Sequence, residues 1–548
     1  MQNLSQDLKE RKQNDELISG ASWLAFGNLF SRILGAIYII PWTIIIGANA
    51  TIANGLFNMG YTIYALFLTI ATAGLPNAIS KLIAKHNFLN QQRTSLVLLG
   101  RGVKVSIYLG IISGLVMSAL SPTLTAGREE LLFVLWSLVP AVMIIPIISV
   151  LRGFFQGNNE MKVVAISEIV EQIARIIYIL VTAVLILKKN SNDWQGVVIQ
   201  STFAAFIGAT ISLIYLLVAF LRRRKKYILD AKISSDRLIH LQENGFVVSL
   251  LKQSLPFVIV GAAVTLFQLV DQYTYFPIMS HFWKLTDETL MITFARFNAN
   301  ANKIIMIIVP IASSIAITAL PMVTRTLQTG NKEQVRNQIY NVFRLFFIVM
   351  FILGFGLYGI SLPIYTVFYG NSDPNLITGG QIMQVTVIFS IFFAFYSVAA
   401  IVVQSINRDD EAMKSLLYGI IVKIVFQIPA IYLFKDFGPQ IASIIGFSFA
   451  SFYLIRVLFN NFQVKLTDMA PQIFEMEFIG LAVGLSALIV VTFLNQYLPL
   501  TRVQQLIPLF TGVTVGGIIA LILLIKSHIA DDLLNKYIGF FLSKRKKE

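Results

Sequence analysis

The chain has 548 residues, of which 56% are apolar and 13% charged, and it carries a formal net charge of +15. A soluble chain of this size cannot hide that much apolar surface in one core, so long uncharged runs must lie in lipid. It has no cysteine, which excludes disulfides, thiolate chemistry and cysteine-based metal sites, and its four histidines (His86, His240, His281, His528) have no metal-ligand spacing.

The first seventeen residues are polar and mixed in charge, unlike a cleavable signal peptide. Windows of about 19 residues then give fourteen spans. In chain order they fall at 18–46, 52–76, 105–124, 131–151, 163–187, 197–221, 250–278, 292–324, 345–368, 379–405, 415–434, 437–455, 475–498 and 503–525. With the N-terminus inside, 31 of the 43 Lys and Arg fall in cytoplasmic segments and 6 in outer loops. The other 6 (Arg32, Arg175, Lys252, Arg296, Lys303, Lys423) lie in or at the edges of spans. That asymmetry follows the positive-inside rule and places both termini in the cytoplasm. The loop after span six (Arg222, Arg223, Arg224, Lys225, Lys226, Lys232, Arg237) and the tail Lys544, Arg545, Lys546, Lys547 dominate it. Both are expected to rest on anionic membrane lipids, at about 1 kcal/mol per basic residue, and no nucleic-acid partner is expected.

An internal repeat organises the spans. Residues 70–76 read Ile-Ala-Thr-Ala-Gly-Leu-Pro and residues 315–321 read Ile-Ala-Ile-Thr-Ala-Leu-Pro, an offset of 245. Glu160-Met161-Lys162 recurs as Glu411-Ala412-Met413-Lys414, and Pro41 lies 236 residues before Pro277. Six spans separate equivalent positions, and six is even, so both halves cross in the same sense. The fold class predicted is an all-α integral membrane protein of 14 transmembrane helices, in two parallel six-helix lobes plus two C-terminal helices. The expected parts are a tail over 1–17, a first lobe over 18–245 with a basic loop at 222–245, and a second lobe over 246–465. Helices thirteen and fourteen follow over 466–527, then a basic tail over 528–548. Parallel repeats of this kind are a transporter signature.

Ionisable groups at bilayer depth are costly, so each needs a cavity or a partner. Arg32 lies inside span one, and Gly35 and Pro41 after it predict a bend or hinge. Span seven carries Gln268 and Asp271, with Pro277 as a second hinge candidate. Span eight opens on the polar run Arg296-Phe297-Asn298-Ala299-Asn300-Ala301-Asn302-Lys303. A guanidinium and an ammonium brought together suit phosphate oxygens. The competing reading pairs Arg32 with Asp271 as a structural lock. On span five, Glu171 and Arg175 are four residues apart, which predicts an intrahelical pair, and Lys423 occupies the repeat position of Glu171. Asp409, Asp410 and Glu411 have no second acidic cluster, and no glycine-rich phosphate loop appears, so neither a metal, a cofactor nor ATP hydrolysis is expected.

Phe30-Ser31-Arg32-Ile33-Leu34-Gly35, the stretch from Arg152-Gly153-Phe154-Phe155-Gln156-Gly157 to Glu171-Gln172-Ile173-Ala174-Arg175, and the fourteen-span count carry a resemblance. Over nearly its whole length the chain resembles the polysaccharide-export branch of the multidrug/oligosaccharidyl-lipid/polysaccharide exporter superfamily. It looks most like the MurJ-type lipid II flippases of Gram-positive bacteria. The resemblance implies a bacterial plasma-membrane flippase, not an enzyme, that moves the undecaprenyl-pyrophosphate-linked peptidoglycan precursor to the outer leaflet. It also implies a monomer that works beside the cell-wall synthesis machinery. The cavity implied is lined by spans one, two, seven and eight, and the last two helices form a groove for the lipid tail. Arg32 then matches the family's first essential arginine. The second arginine of Gram-negative members falls at Tyr38, their acidic residue of span two at about Asn54, and their span-eight arginine at Arg296 or Lys303. With Asn54 and Asn58 added from span two, the expected site is Arg32, Arg296, Lys303, Asp271, Gln268, Asn54, Asn58, Asn298, Asn300 and Asn302.

Three rivals stand beside this expectation. A flippase for another lipid-linked oligosaccharide uses the same physics with a different head group. A multidrug cation exporter calls for acidic lobes and about twelve spans. A membrane glycosyltransferase needs a catalytic carboxylate in the outer loops, where only Glu129, Glu130, Asp193, Asp287, Glu288, Asp373 and Asp436 occur.

Overall fold

The computed structural model describes residues 23, 27, 30–72, 74–125, 127–234, 255–256, 258–328 and 330–527. The predicted tail 1–17, Lys252, residues 235–245 of the basic loop and the tail 528–548 lie outside them. Helices account for the regular structure, and there is no strand among the described residues. In chain order they are α1 (Ile39–Ile46), α2 (Ala50–Thr72), α3 (Leu75–Phe88), α4 (Gln92–Leu124), α5 (Glu129–Gly157), α6 (Met161–Lys189), α7 (Trp194–Ile233), α8 (Ala263–Phe282) and α9 (Asp287–Phe294). After a π-helical turn at Ala295–Asn300 come α10 (Ala301–Gln328), α11 (Lys332–Gly359), α12 (Ser361–Tyr369), α13 (Leu376–Ser405), α14 (Asp409–Phe434), α15 (Gly438–Phe462), α16 (Ala470–Asn495) and α17 (Leu506–Lys526).

Among the described residues, 11 helical stretches are long and apolar enough to cross a membrane. Two of them, Phe30–Thr72 with 43 residues and Asp409–Phe462 with 54, are each interrupted by a 3-10 turn. At about 1.5 Å per residue each is more than twice the ~30 Å hydrocarbon thickness, enough for two crossings. The chain is therefore a multi-pass helical membrane protein.

The chain forms two compact units, residues 1–269 and 270–548. In the first unit α5 is central, packing on α2, α3, α4 and α7. Its buried side chains Ile148, Leu151, Phe154 and Phe155 meet Leu75, Ile79 and Ile83 of α3, Val163 and Val164 of α6, and Leu216 of α7. The Arg-Gly-Phe-Phe-Gln-Gly motif is thus a packing motif on three of its faces. A Cβ on Gly153 would stand 2.5 Å from the Pro76 carbonyl oxygen, so only glycine lets α3 approach.

The two copies of the repeat differ in one local respect. Gly74 adopts φ 70°, ψ 10°, which ends α2 and lets α3 start at Leu75 with Pro76 in its first turn. At the equivalent Ala319, α10 runs on unbroken to Gln328. A left-handed alanine would cost about 1–2 kcal/mol, which glycine avoids.

In the second unit α13 is central, packing on α10, α11, α12 and α15, while α14 pairs with α15. Helix α14 is polar inside and apolar outside. Ser415, Gly419, Lys423 and Gln427, four residues apart, are buried, whereas Leu417, Ile421, Ile424, Val425, Ile428 and Tyr432 are exposed. Lipid is the solvent that makes this inversion stable. Helix α16 lies against α11, and α17 against α16. A Cβ on Gly484 would come 2.6 Å from the Phe355 carbonyl oxygen, while one on Gly517 would meet no atom within 4 Å. Gly484→Val is therefore expected to destabilise by at least the ~1–3 kcal/mol of overpacking, and Gly517→Val to leave stability unchanged. Paired melting curves in detergent check this; equal curves would refute the close approach.

Candidate substrate-binding site

In the first unit, residues 30–37 and α1 form one helical stretch through Tyr38, whose N–H donates to Leu34 and whose carbonyl accepts from Trp42. Pro41 has no N–H for the Ile37 carbonyl, so one ladder bond is missing there. Gly35 faces α6, where a Cβ would stand 3.2 Å from the Gln172 amide nitrogen. Arg32 is exposed on this stretch, within electrostatic reach of Glu168 on α6. Asn54 of α2 is fully buried, and Asn58, one turn on, is half-buried.

The intrahelical pair expected of Glu171 and Arg175 does not form. Glu171 instead pairs with Arg152 of α5, Nη2 to Oε2 at 2.7 Å. Arg152 also donates from Nε to the Ser167 hydroxyl at 2.9 Å and from Nη2 to that of Ser212 at 3.1 Å. Arg175 lies over the Tyr61 ring, 5.7 Å from its centroid. The reason is geometric: α5, α6 and α7 are close enough for a fork-shaped guanidinium to reach three oxygens at once, which outweighs a flexible i,i+4 contact worth a few tenths of a kcal/mol. Sequence reasoning missed Arg152 as an ionic anchor. Its place five residues before a buried-motif glycine gave no sign of which helix it would face, and only Ser167 and Glu171, four apart on α6, marked a polar stripe.

In the second unit, the polar run of span eight folds as the π-helical turn Ala295–Asn300, and all six of its residues are buried. A π turn frees carbonyls from the usual ladder. The Asn302 amide donates to the carbonyls of Phe297 and Asn298 at 3.0 and 2.9 Å, and Gln440 donates to Phe297 at 3.1 Å. Asn300 donates to the Tyr365 hydroxyl at 2.9 Å. Arg296 makes a two-pronged contact with Asp373, Nε to Oδ2 at 2.9 Å and Nη2 to Oδ1 at 2.6 Å, and Tyr365 donates to the same carboxylate at 2.6 Å. Arg296 is 7% exposed. Its guanidinium is occupied by a buried acid from the loop between α12 and α13. Asn298 is buried on the same turn, and Lys303 is half-buried three residues beyond it.

Asp271 is held inside the second unit. Its Oδ1 accepts from Lys423 of α14 at 2.7 Å and from Gln427 at 2.9 Å. Lys423 also donates to the Ser443 hydroxyl and to the Pro439 carbonyl. The partner that sequence reasoning offered for Arg32 as a lock is thus committed to Lys423, which is fully buried. Gln268, one turn earlier on α8, is half-buried, and Pro277 sits within the same helix. Arg32 is thus an exposed cation on its helix, while Arg296 and Asp271 are each neutralised locally. Such a pattern suits reversible binding of an anion rather than bond-making chemistry.

The comparisons with known proteins agree with this reading. A family model described as "Polysaccharide biosynthesis protein" matches residues 17–327. The chain is 30% identical over 467 residues to the lipid II flippase MurJ of Bacillus subtilis (strain 168), covering 82% of this chain and 83% of the relative. Among solved structures, a lipid II flippase MurJ in an inward closed conformation matches with TM-score 0.60 at 12% identity, covering 92% of this chain and 99% of that one. An inward-facing multidrug resistance MATE family transporter of the MOP superfamily matches with TM-score 0.58 at 13% identity, over 80% and 95% of the two chains. The two structural likenesses show a shared fold. The match over most of the chain places this protein in the polysaccharide biosynthesis protein family, among the MurJ-type lipid II flippases.

Proposed function

We propose that the protein is a flippase that carries lipid II, the undecaprenyl-pyrophosphate-linked peptidoglycan precursor, from the inner to the outer leaflet by alternating access. It is a transporter and makes or breaks no covalent bond. The observation that carries the proposal is the 30% identity over 82% of the chain to a lipid II flippase. Arg32 binds the pyrophosphate. Arg296, held by Asp373, shapes span eight with Asn298, Asn300 and Asn302. Gln268 and Asn58 face sugar or peptide groups, and Asn54 holds α2. Gly35, Pro41 and Pro277 give the moving helices their bends. Two six-helix lobes expose this site to each side in turn, and the polyprenyl tail stays in lipid beside α16 and α17. An inside-negative potential acts on cavity cations at about 2.3 kcal/mol per charge per 100 mV, which draws the emptied site back inward.

The setting is a bacterial plasma membrane crossed fourteen times, with both termini cytoplasmic and a monomer as the working unit. Because the chain lacks cysteine, Asp410→Cys and Asp436→Cys make clean topology probes. A membrane-impermeant maleimide is expected to label Cys at 436 on intact cells and Cys at 410 only after permeabilisation; labelling of both from outside would overturn the topology. Substrate identity is tested by native mass spectrometry of the full-length protein with lipid II, a teichoic-acid precursor and undecaprenyl phosphate in competition. Lipid II is expected to be retained at least about tenfold over the others, a margin of about 1.4 kcal/mol. Equal retention of the teichoic-acid precursor would favour the flippase for another lipid-linked oligosaccharide.

A further inference from the structure

Where α14 begins, the second unit has an open cavity of about 410 Å³ lined by Arg408, Glu411, Tyr453, Arg456, Asn460 and Asn461. Its counterpart by the repeat lies at the start of α6. There Glu160 accepts from the Tyr227 hydroxyl at 2.8 Å and pairs with Arg223 at 2.9 Å, one acid for one arginine. In the second unit Glu411 likewise accepts from a tyrosine, Tyr453, at 2.5 Å, but its ionic partner is Lys414 on its own helix at 3.0 Å. The acid is therefore paired on its own helix, with Arg408 also within electrostatic reach. Arg408 donates to the Asn461 side chain at 3.2 Å, and Arg408 and Arg456 are both exposed around the cavity. Two guanidinium groups and two amides border the space, beside Glu411 and next in sequence to Asp409 and Asp410.

We propose that this cavity binds the phosphodiester of an anionic membrane phospholipid. Guanidinium groups match phosphate oxygens two at a time, and the asparagine amides add neutral donors. The cavity lies at the end of two apolar helices, the depth at which head groups sit. One to three turns along the same helices, Leu417, Tyr418 and Ile421 of α14 and Phe452 of α15 are exposed, and these give acyl chains an apolar path. That continuity of a phosphate-sized basic cavity with lipid-facing surface selects a phospholipid over free phosphate. The site is separate from the basic loop after span six, and it stands whether or not lipid II is the cargo.

The test is native mass spectrometry of the full-length protein released from detergent with phosphatidylglycerol, phosphatidylcholine or inorganic phosphate. The wild type is expected to keep one phosphatidylglycerol under activation that strips phosphatidylcholine. Arg408→Gln with Arg456→Gln is expected to lower that retention about tenfold, the loss expected for a charge-assisted contact. Arg456→Glu, a single change at an exposed position, should do the same, and guards against a folding defect in the double variant. Lys188→Gln with Lys189→Gln, exposed at the end of α6, should leave the retained lipid in place. Unchanged retention in the Arg408 and Arg456 variants overturns the proposal, as does equal retention of phosphatidylcholine or displacement by inorganic phosphate alone.

Discussion

Arg32→Ala is expected to abolish transport while leaving the protein in the membrane at wild-type abundance. The side chain is exposed, so its removal opens no cavity and strands no buried group. If Arg32 binds the pyrophosphate as proposed, what is removed is a charged contact to it. Losing one such desolvated contact costs on the order of 2–5 kcal/mol, against about 8 kcal/mol for a micromolar ligand. Lipid II affinity should therefore fall about 30-fold or more. Arg32→Lys should recover only part of it, because an ammonium acts as a point charge where a guanidinium makes two parallel bonds. Glu168 on α6 supplies the decisive control. If Arg32 served only to neutralise Glu168, then Glu168→Gln would restore function to Arg32→Ala. Binding measured across the four variants decides between the two roles, and wild-type affinity in Arg32→Ala would remove the residue from the site.

Lys423→Met should be the most destabilising single change in the second unit. It leaves the Asp271 carboxylate, 4% exposed, with only Gln427 as a donor. Removing one partner of a buried pair costs about 3–5 kcal/mol, because the other charge stays buried and uncompensated. Asp271→Leu alone should cost a similar amount through the stranded ammonium. The double variant should be markedly more stable than the sum of the two, since an apolar pair of similar volume restores the packing without the charge. Melting curves in detergent for the four proteins read this directly. Additive losses would show that the pair is not coupled.

The helical class and membrane setting were legible because they rest on hydropathy alone, which needs no partner to be known. The missing ladder bond at Ile37 was also legible, since a proline acts on its own backbone. Ion-pair partners were not. Glu171 and Arg175 sit at ideal helical spacing, yet Arg152, nineteen residues before Glu171, takes the carboxylate. Arg296 or Lys303 is the phosphate ligand that sequence reasoning offers, and the Asp373 partner of Arg296, seventy-seven residues away, was not foreseen. In each case the local rule was sound and a long-range contact of better geometry displaced it. The repeat did hold information about partners in an unexpected form. Positions 171 and 423 carry opposite charges, and each finds its opposite on a different neighbouring helix, Arg152 on α5 and Asp271 on α8.

The break at Gly74, set against the unbroken Ala319, gives the two halves of the duplicated chain different stiffness at the same place. A helix that ends and restarts acts as a joint, because no ladder bonds carry bending load across it. A helix that continues acts as a beam, and a push at one end arrives at the other. The chain thus ends one helix and starts another at Gly74, whereas the backbone at Ala319 stays helical. At this one position the presence or absence of a methyl group separates a joint from a continuous helix.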